Sequence, residues 1–217
     1  MKRELFNRFV SSIILIPLII FFIIEGGMIF NIFILICFFL TLFEWYKMSN
    51  KYRHYIPGIF FLIFSFLSIY FLRNQFNGEY LYLLFVLFIC VATDIGGYVI
   101  GNLIKGPKLS KISPKKTYSG VLGGFLFTII FSYFFLKFPL FEFNKNITLE
   151  ILIFIIVISA ISQVGDLVVS YFKRVSKIKD TGKIIPGHGG ILDRIDGMVF
   201  AFPSSLIILL TDIISIF

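Results

Sequence analysis

Between Ser170 and Asp196 the chain reads SYFKRVSKIKDTGKIIPGHGGILDRID, a strip of cations, carboxylates and glycines set between two strongly apolar segments. Phosphoryl and nucleotidyl transfer call for this mixture, because cations and metal must neutralise several phosphate oxygens at once. Binding plain anionic lipid would not need the acids. Lys173, Arg174 and Lys179 supply positive charge in the first half, and Asp193 and Asp196 flank Arg194 in the second. On a helix the i, i+3 spacing projects both carboxylates from one face, which suits a cation; carboxylates in a first turn are also favoured by the macrodipole with no catalytic role. Three glycines in Pro186-Gly187-His188-Gly189-Gly190 permit backbone N–H groups to approach phosphate oxygens closely. His188 either orients a phosphate or punctuates the loop, and is read as a binding group rather than a general base.

Two further acids lie inside apolar runs: Asp94 in Ala92-Thr93-Asp94-Ile95-Gly96-Gly97-Tyr98, and Asp166 in Gln163-Val164-Gly165-Asp166. A carboxylate near a bilayer centre costs about 2.5–3.5 kcal/mol on insertion scales, so such residues face a cavity, a partner or an ion. Pairing with a buried Lys, or capping of a broken helix, is the purely structural alternative. At ~1.5 Å per residue, Asp94 stands about 10 Å from a helix end at Gly101 and Asp166 about 8 Å from one at Tyr171, so the two acids share a depth. A second basic group, Lys115 and Lys116 in Ile112-Ser113-Pro114-Lys115-Lys116-Thr117, precedes another apolar run.

The elements that must position these residues are membrane spans. Of the 217 residues 58% are hydrophobic and only 15% charged, against ~25% charged in soluble domains. Apolar stretches at roughly 8–24, 27–43, 56–72, 80–101, 119–137, 150–171 and 197–215 approach the ~20 helical residues that cross a hydrocarbon core. The expected fold is all-α: one polytopic transmembrane helical bundle over 1–217 with about seven spans. Lys2, Arg3 and Arg8 before the first run imitate a secretory signal, but no small-residue cleavage site follows, so an uncleaved span is expected. With the N-terminus inside, every Lys and Arg except Arg73, Lys137 and Lys145 falls on cytoplasmic segments, as the positive-inside rule requires. The net charge of +8 is then concentrated on that face, where it attracts anionic head groups and polyphosphates. Cys37 and Cys90 stand alone in apolar runs without zinc or redox spacing. Nothing points to a nucleic-acid partner.

The strip resembles the signature of the phosphatidate cytidylyltransferases. Its fixed positions are all present: Ser170, Lys173-Arg174, Lys179-Asp180, His188-Gly189-Gly190, Asp193-Arg194 and Asp196. The likeness extends upstream to Gln163-Gly165-Asp166, to Lys108-Leu109 with Ser113-Pro114-Lys115-Lys116-Thr117 and Gly120, and to Asp94 with Tyr98. The chain departs from the family's habit at Ile95, Gly96, Gly97 and Ser119, none of which removes a charged group. The resemblance implies transfer of a cytidylyl group from CTP to phosphatidate, giving CDP-diacylglycerol and diphosphate, on the cytoplasmic side of a bacterial-type inner membrane. It implies Mg²⁺ on Asp166 and Asp193, with Asp94 and Asp196 as candidates for a second cation. Lys173 joins those two acids as a catalytic candidate. Ser113, Lys115, Lys116, Thr117, Ser170, Arg174, Lys179, Asp180, His188, Gly189, Gly190 and Arg194 are the substrate-binding candidates. CTP, phosphatidate and the lipid bilayer are the expected partners, and a homodimer is implied by the resemblance alone. Three other readings stay open. A CDP-alcohol phosphatidyltransferase shares Asp-x-x-Asp-Gly at Asp193–Gly197 but needs further spaced aspartates, and only Asp212 follows. A CTP-dependent lipid-alcohol kinase and an ion-coupled transporter using Asp94 and Asp166 are the others.

Overall fold

In lipid a backbone must satisfy its own N–H and C=O groups, so apolar runs of this length fold as helices. The computed structural model describes residues 2–74, 80–138, 146–185 and 189–211, with side chains from Ile13 onward. Its order is α1 (Lys2–Glu25), α2 (Gly27–Ser49), α3 (Tyr55–Asn74), α4 (Tyr80–Ile104), α5 (Tyr118–Lys137), α6 (Leu149–Val175), α7 (Leu192–Ile195) and α8 (Met198–Leu210). The architecture is an all-α membrane bundle. Among the described residues β structure is limited to the isolated bridges Lys108–Thr117 and Ile185–Gly189.

Five helices, α2 to α6, are long and apolar enough to cross a membrane. That is a coarser result than the expected seven spans. The apolar part of α1 (Ile13–Glu25) and α8 (Met198–Leu210) are shorter, and residues 212–217, where the last span was expected to continue, lie outside the described residues. The helices also outrun their apolar cores: α2 continues to Ser49, α4 to Ile104 and α6 to Val175. Glu44, Lys173 and Arg174 are therefore helical residues rather than loop residues.

α1 and α2 form a hairpin through Gly26 (φ 68°) and Gly27 (φ 56°), both in the left-handed region that favours glycine. Arg73 closes this corner, its Nε donating to Ile23 O at 2.6 Å and its Nη2 to Ile24 O at 3.1 Å. One of the three cations that break the charge asymmetry is thus spent on the open carbonyls of a helix end.

α4 and α5 make the closest helix pair, backbone against backbone. A Cβ on Gly96 would stand 2.5 Å from Gly123 O, one on Gly120 2.8 Å from Gly97 O, and one on Gly123 2.8 Å from Gly96 O. Small residues at matched positions on two helices permit this approach. Thr93 joins three helices just below Asp94: its hydroxyl lies 2.8 Å from those of Thr128 (α5) and Ser159 (α6). The central core holds Phe85 and Ile89 of α4, Leu136 of α5 and Phe154, Ile155 and Ile158 of α6. A smaller cluster of Trp45, Met48, Leu62, Val169, Leu192 and Val199 lies behind the polar strip and seats α7 against α2, α3, α6 and α8. Large apolar side chains cover the perimeter, among them Met28, Leu103, Leu122 and Leu149, the inversion expected of a surface that faces lipid.

Candidate active site

Part of the strip turns inward: Lys173, Thr181 and Asp193 are buried. Residues of the strip, with others of α4, α5 and α6, line one cavity of ≈ 400 Å³, which gathers Asp94, Asp166, Asp180, Asp193, Asp196, Lys115, Lys116, Lys173 and Arg194, together with Thr93, Tyr98, Thr117 and Gln163. With α4 reaching Ile104 and α6 reaching Val175, Asp94 and Asp166 are each ~14–15 Å from the end of their helix. Their expected common depth is retained, one turn deeper than the apolar runs alone imply.

Local chemistry explains how each wall is held. Thr117 is the N-cap of α5, its hydroxyl accepting from Gly120 N at 3.1 Å, as capping by Thr predicts. The preceding loop is pinned by Leu109 N donating to Lys116 O (2.8 Å) and Tyr118 N to Pro107 O (3.2 Å). This pinning presents Lys116, whose ammonium is 2.5 Å from Asp166 Oδ2 on α6. One turn on, Ser170 Oγ donates to Asp166 Oδ1 at 3.2 Å, so both oxygens of Asp166 have partners.

Asp193 is held more completely. Its Oδ2 accepts from Thr181 N at 2.7 Å, Thr181 Oγ at 3.0 Å and Gly190 N at 3.0 Å. Its Oδ1 faces Lys173 Nζ at 3.0 Å, and the same ammonium lies 3.8 Å from Asp196 Oδ2. Burial alone would raise the Asp193 pKa, but the hydrogen bond from Gly190 N, the Lys173 ammonium and the Thr181 amide outweigh it and hold the carboxyl below the usual carboxylate value. Asp196 goes the other way: burial, then the nearby Asp166 charge, raises it well above that value. Asp193 thus has both oxygens engaged where it lines the cavity, Oδ2 by the Thr181 and Gly190 amides and Oδ1 by the Lys173 ammonium.

Not every expected binding residue lines the cavity. Arg174 reaches away, its Nε donating to Ile112 O (3.4 Å) and its Nη1 to Ile178 O (3.2 Å), so it ties the Lys105–Thr117 loop to the end of α6. Lys179 is exposed and outside the lining. Ser113 sits in a turn, its amide donating to Ser110 Oγ at 3.2 Å. Ser170 touches the cavity only through Asp166. Gly189 (φ 85°) and Gly190 sit beside Asp193 and Glu44 rather than in the lining: a Cβ on Gly189 would come within 2.7 Å of Asp193 Oδ2, and one on Gly190 would overlap the Glu44 carboxylate. Those two glycines are required by protein packing. His188, with Pro186 and Gly187, lies outside the described residues.

Profile comparison decides the family: the pattern of the cytidylyltransferase family matches residues 58–211. The chain belongs to that family. Curated relatives agree. It is 32% identical to a phosphatidate cytidylyltransferase of Rickettsia felis over 93% of this chain and 91% of the relative. Against the protein of that name from Rickettsia bellii it is 35% identical, over 93% of this chain and 89% of the relative. With that of Staphylococcus haemolyticus the identity is 42% over 65% of this chain and 53% of the relative. The matched region holds every cavity residue of α4 to α7, while α1 and α2 precede it.

A cytidylyltransferase must receive a highly charged nucleotide, and the cavity's charges bear on how. It is lined by five carboxylates and four cations, so the phosphates of an entering nucleotide meet acids as well as cations. Among the described residues no three His, Cys, Asp or Glu side chains form a preformed metal cage. That donor set still fits Mg²⁺, which keeps several waters and is bound by one or two carboxylates plus substrate phosphates rather than by an all-protein cage. Asp166 and Asp193 would hold it, with the oxygens that now face Lys116 and Lys173. Two residues that matter here had no clear signal in the sequence. Thr181 carries no motif, and Glu44 sits at the end of an apolar run where a lone acid reads as an interfacial charge.

Proposed function

We propose that the chain is a phosphatidate cytidylyltransferase, converting CTP and phosphatidate to CDP-diacylglycerol and diphosphate at the cytoplasmic face of a bacterial inner membrane. The observation that carries this reading is the single cavity in which Asp94 and Asp166, inside the membrane-spanning helices, meet Asp193, Asp196, Lys116 and Lys173. It gives a water-soluble nucleotide and a lipid phosphate one meeting place about two helical turns or more below the helix ends. Full-length similarity to named phosphatidate cytidylyltransferases supports the same substrates.

In the reaction a phosphate oxygen of phosphatidate attacks the α-phosphorus of CTP in line; that P–O bond forms as the bond from the α-phosphorus to the bridging oxygen breaks, and diphosphate leaves with the electron pair. Asp166 and Asp193 would hold Mg²⁺, which would supply charge neutralisation for the nucleotide's phosphates. Lys116, Lys173 and Arg194 line the same space and clamp phosphates as the transferred group develops charge. When phosphates arrive, Lys116 and Lys173 exchange their carboxylate partners for phosphate oxygens, which frees Asp166 Oδ2 and Asp193 Oδ1. The attacking phosphate is already ionised at neutral pH, so no strong general base is needed.

Purified protein given phosphatidate, Mg²⁺ and CTP labelled at either the α- or the γ-phosphate tests the reading. Label from the α position is expected in the lipid and label from the γ position in diphosphate. Lipid labelled from the γ position would identify a kinase instead. Asp166→Asn and Asp193→Asn should each lower turnover by at least about 10²-fold, the loss expected when a principal electrostatic group is removed, in protein that still melts cooperatively, at a lower temperature for Asp193→Asn because it breaks the buried pair with Lys173. Wild-type turnover in either variant would refute their assignment.

A further inference from the structure

Glu44 lies near the end of α2, is only 1% exposed, and belongs to neither the strip nor the family-matched segment. A buried carboxylate requires charged or hydrogen-bonding partners to offset its desolvation. Here those partners are uncharged donors. Oε1 accepts from Ile191 N at 3.0 Å, and Oε2 accepts from Leu192 N at 2.8 Å and from Thr181 Oγ at 3.0 Å. The Thr181 hydroxyl lies equally far, 3.0 Å, from Asp193 Oδ2, and its single proton serves one carboxylate at a time. Glu44 thus grips the start of α7 and shares a hydroxyl with the acid that α7 carries. The glycines record the same contact: a Cβ on Gly182 would stand 2.5 Å from Glu44 Oε1, and one on Gly190 would overlap both carboxylate oxygens.

We propose that Glu44 is a positioning residue for the cytidylyl transfer: by holding Thr181 and the Ile191 and Leu192 amides, it fixes the loop that turns Asp193 Oδ1 toward the cavity. The inference rests on the proposed function for its kinetic part only. Glu44 touches no cavity space itself, and its carboxylate is separated from Asp193 by one shared hydroxyl. Its effect therefore falls on the orientation of a catalytic acid rather than on the capture of CTP.

The test uses the full-length protein with Glu44→Gln, Thr181→Val and the double variant. Glu44→Gln is expected to lower kcat about 10–100-fold, the usual cost of losing a group that orients a ligand carboxylate, while KM for CTP stays within about threefold, since only uniform binding alters KM alone. Thr181→Val should show the same split, and the double variant should lose no more than the worse single one, because both substitutions act on the orientation of one carboxylate, that of Asp193. Folded Glu44→Gln protein with wild-type kcat, or losses that multiply in the double variant, would overturn the proposal. Should Glu44→Gln not fold, Thr181→Val decides: a kcat loss at unchanged KM supports the arrangement and wild-type kcat overturns it. Hydrogen exchange of the Ile191 and Leu192 amides provides a readout independent of turnover. Exchange at least tenfold faster in Glu44→Gln, with mid-α6 amides unchanged, supports the proposal, and unchanged exchange overturns it. If the wild type makes no CDP-lipid, the functional reading fails while the exchange result still judges Glu44.

Discussion

Lys173 lies between Asp193 and Asp196 with only 10% of its side chain exposed, so it is the residue on which the electrostatics of the cavity's acids turn. Removing one partner of a buried ion pair leaves an uncompensated charge and costs about 3–5 kcal/mol. Lys173→Met should therefore lower stability by roughly that amount when the protein is unfolded in detergent without divalent ions; a loss under about 1 kcal/mol would show that water reaches both acids. Much of the cavity's lining was legible in the residues themselves. Asp94, Asp166, Asp193, Asp196, Lys115, Lys116, Lys173, Thr117, Asp180 and Arg194 all meet at one cavity, because intramembrane acids and a phosphate-type strip have few other uses. Arg174, Ser113 and Lys179 share the strip's composition but are turned elsewhere. Side-chain direction at a helix end depends on neighbours that spacing does not reveal. Glu44 and Thr181 were hidden for the same reason, since their partners lie far away in the chain.

The pairing of α4 with α5 sets the distance between the wall that carries Asp94 and the loop that carries Lys116. Gly96 faces Gly123 O at a distance no Cβ tolerates, whereas a Cβ on Gly97 would meet Gly120 O at 3.5 Å, an ordinary contact. Gly96→Ala is expected to cost about 1–3 kcal/mol through overpacking, while Gly97→Ala should stay within about 0.5 kcal/mol of wild type. Thermal unfolding of the two variants in one detergent compares them, and equal stability would contradict the backbone-to-backbone packing. The glycines stood in plain view in the sequence, but which of them touch was not readable there, because the adjacent residues Gly96 and Gly97 differ by 1 Å in fit. Helix existence followed directly from apolar run length. Helix ends did not: α2, α4 and α6 continue past their apolar cores into polar sequence, where tertiary contacts such as the Lys173–Asp193 pair stabilise the extra turns.

For the molecule as a whole, we propose that a bundle buried in lipid opens its charged cavity toward one aqueous side only. Sidedness can be read by placing single cysteines at Lys111, exposed beside the cavity, and at Glu25, exposed at the α1–α2 hairpin, in a background with Cys37 and Cys90 replaced by Ala. A membrane-impermeant maleimide should label the first only in inside-out vesicles and the second only in right-side-out vesicles. Labelling of both from one side would overturn the proposed orientation. We propose that the acids of the cavity are made tolerable by a divalent ion shared with nucleotide phosphates. Binding of Mn²⁺, as a paramagnetic substitute for Mg²⁺, measured by electron paramagnetic resonance in wild-type protein and in the Asp166→Asn/Asp193→Asn double variant, each with and without CTP, addresses that premise. Tight Mn²⁺ binding that requires CTP in the wild type and disappears in the double variant is the predicted result; binding of equal strength in both proteins would contradict it.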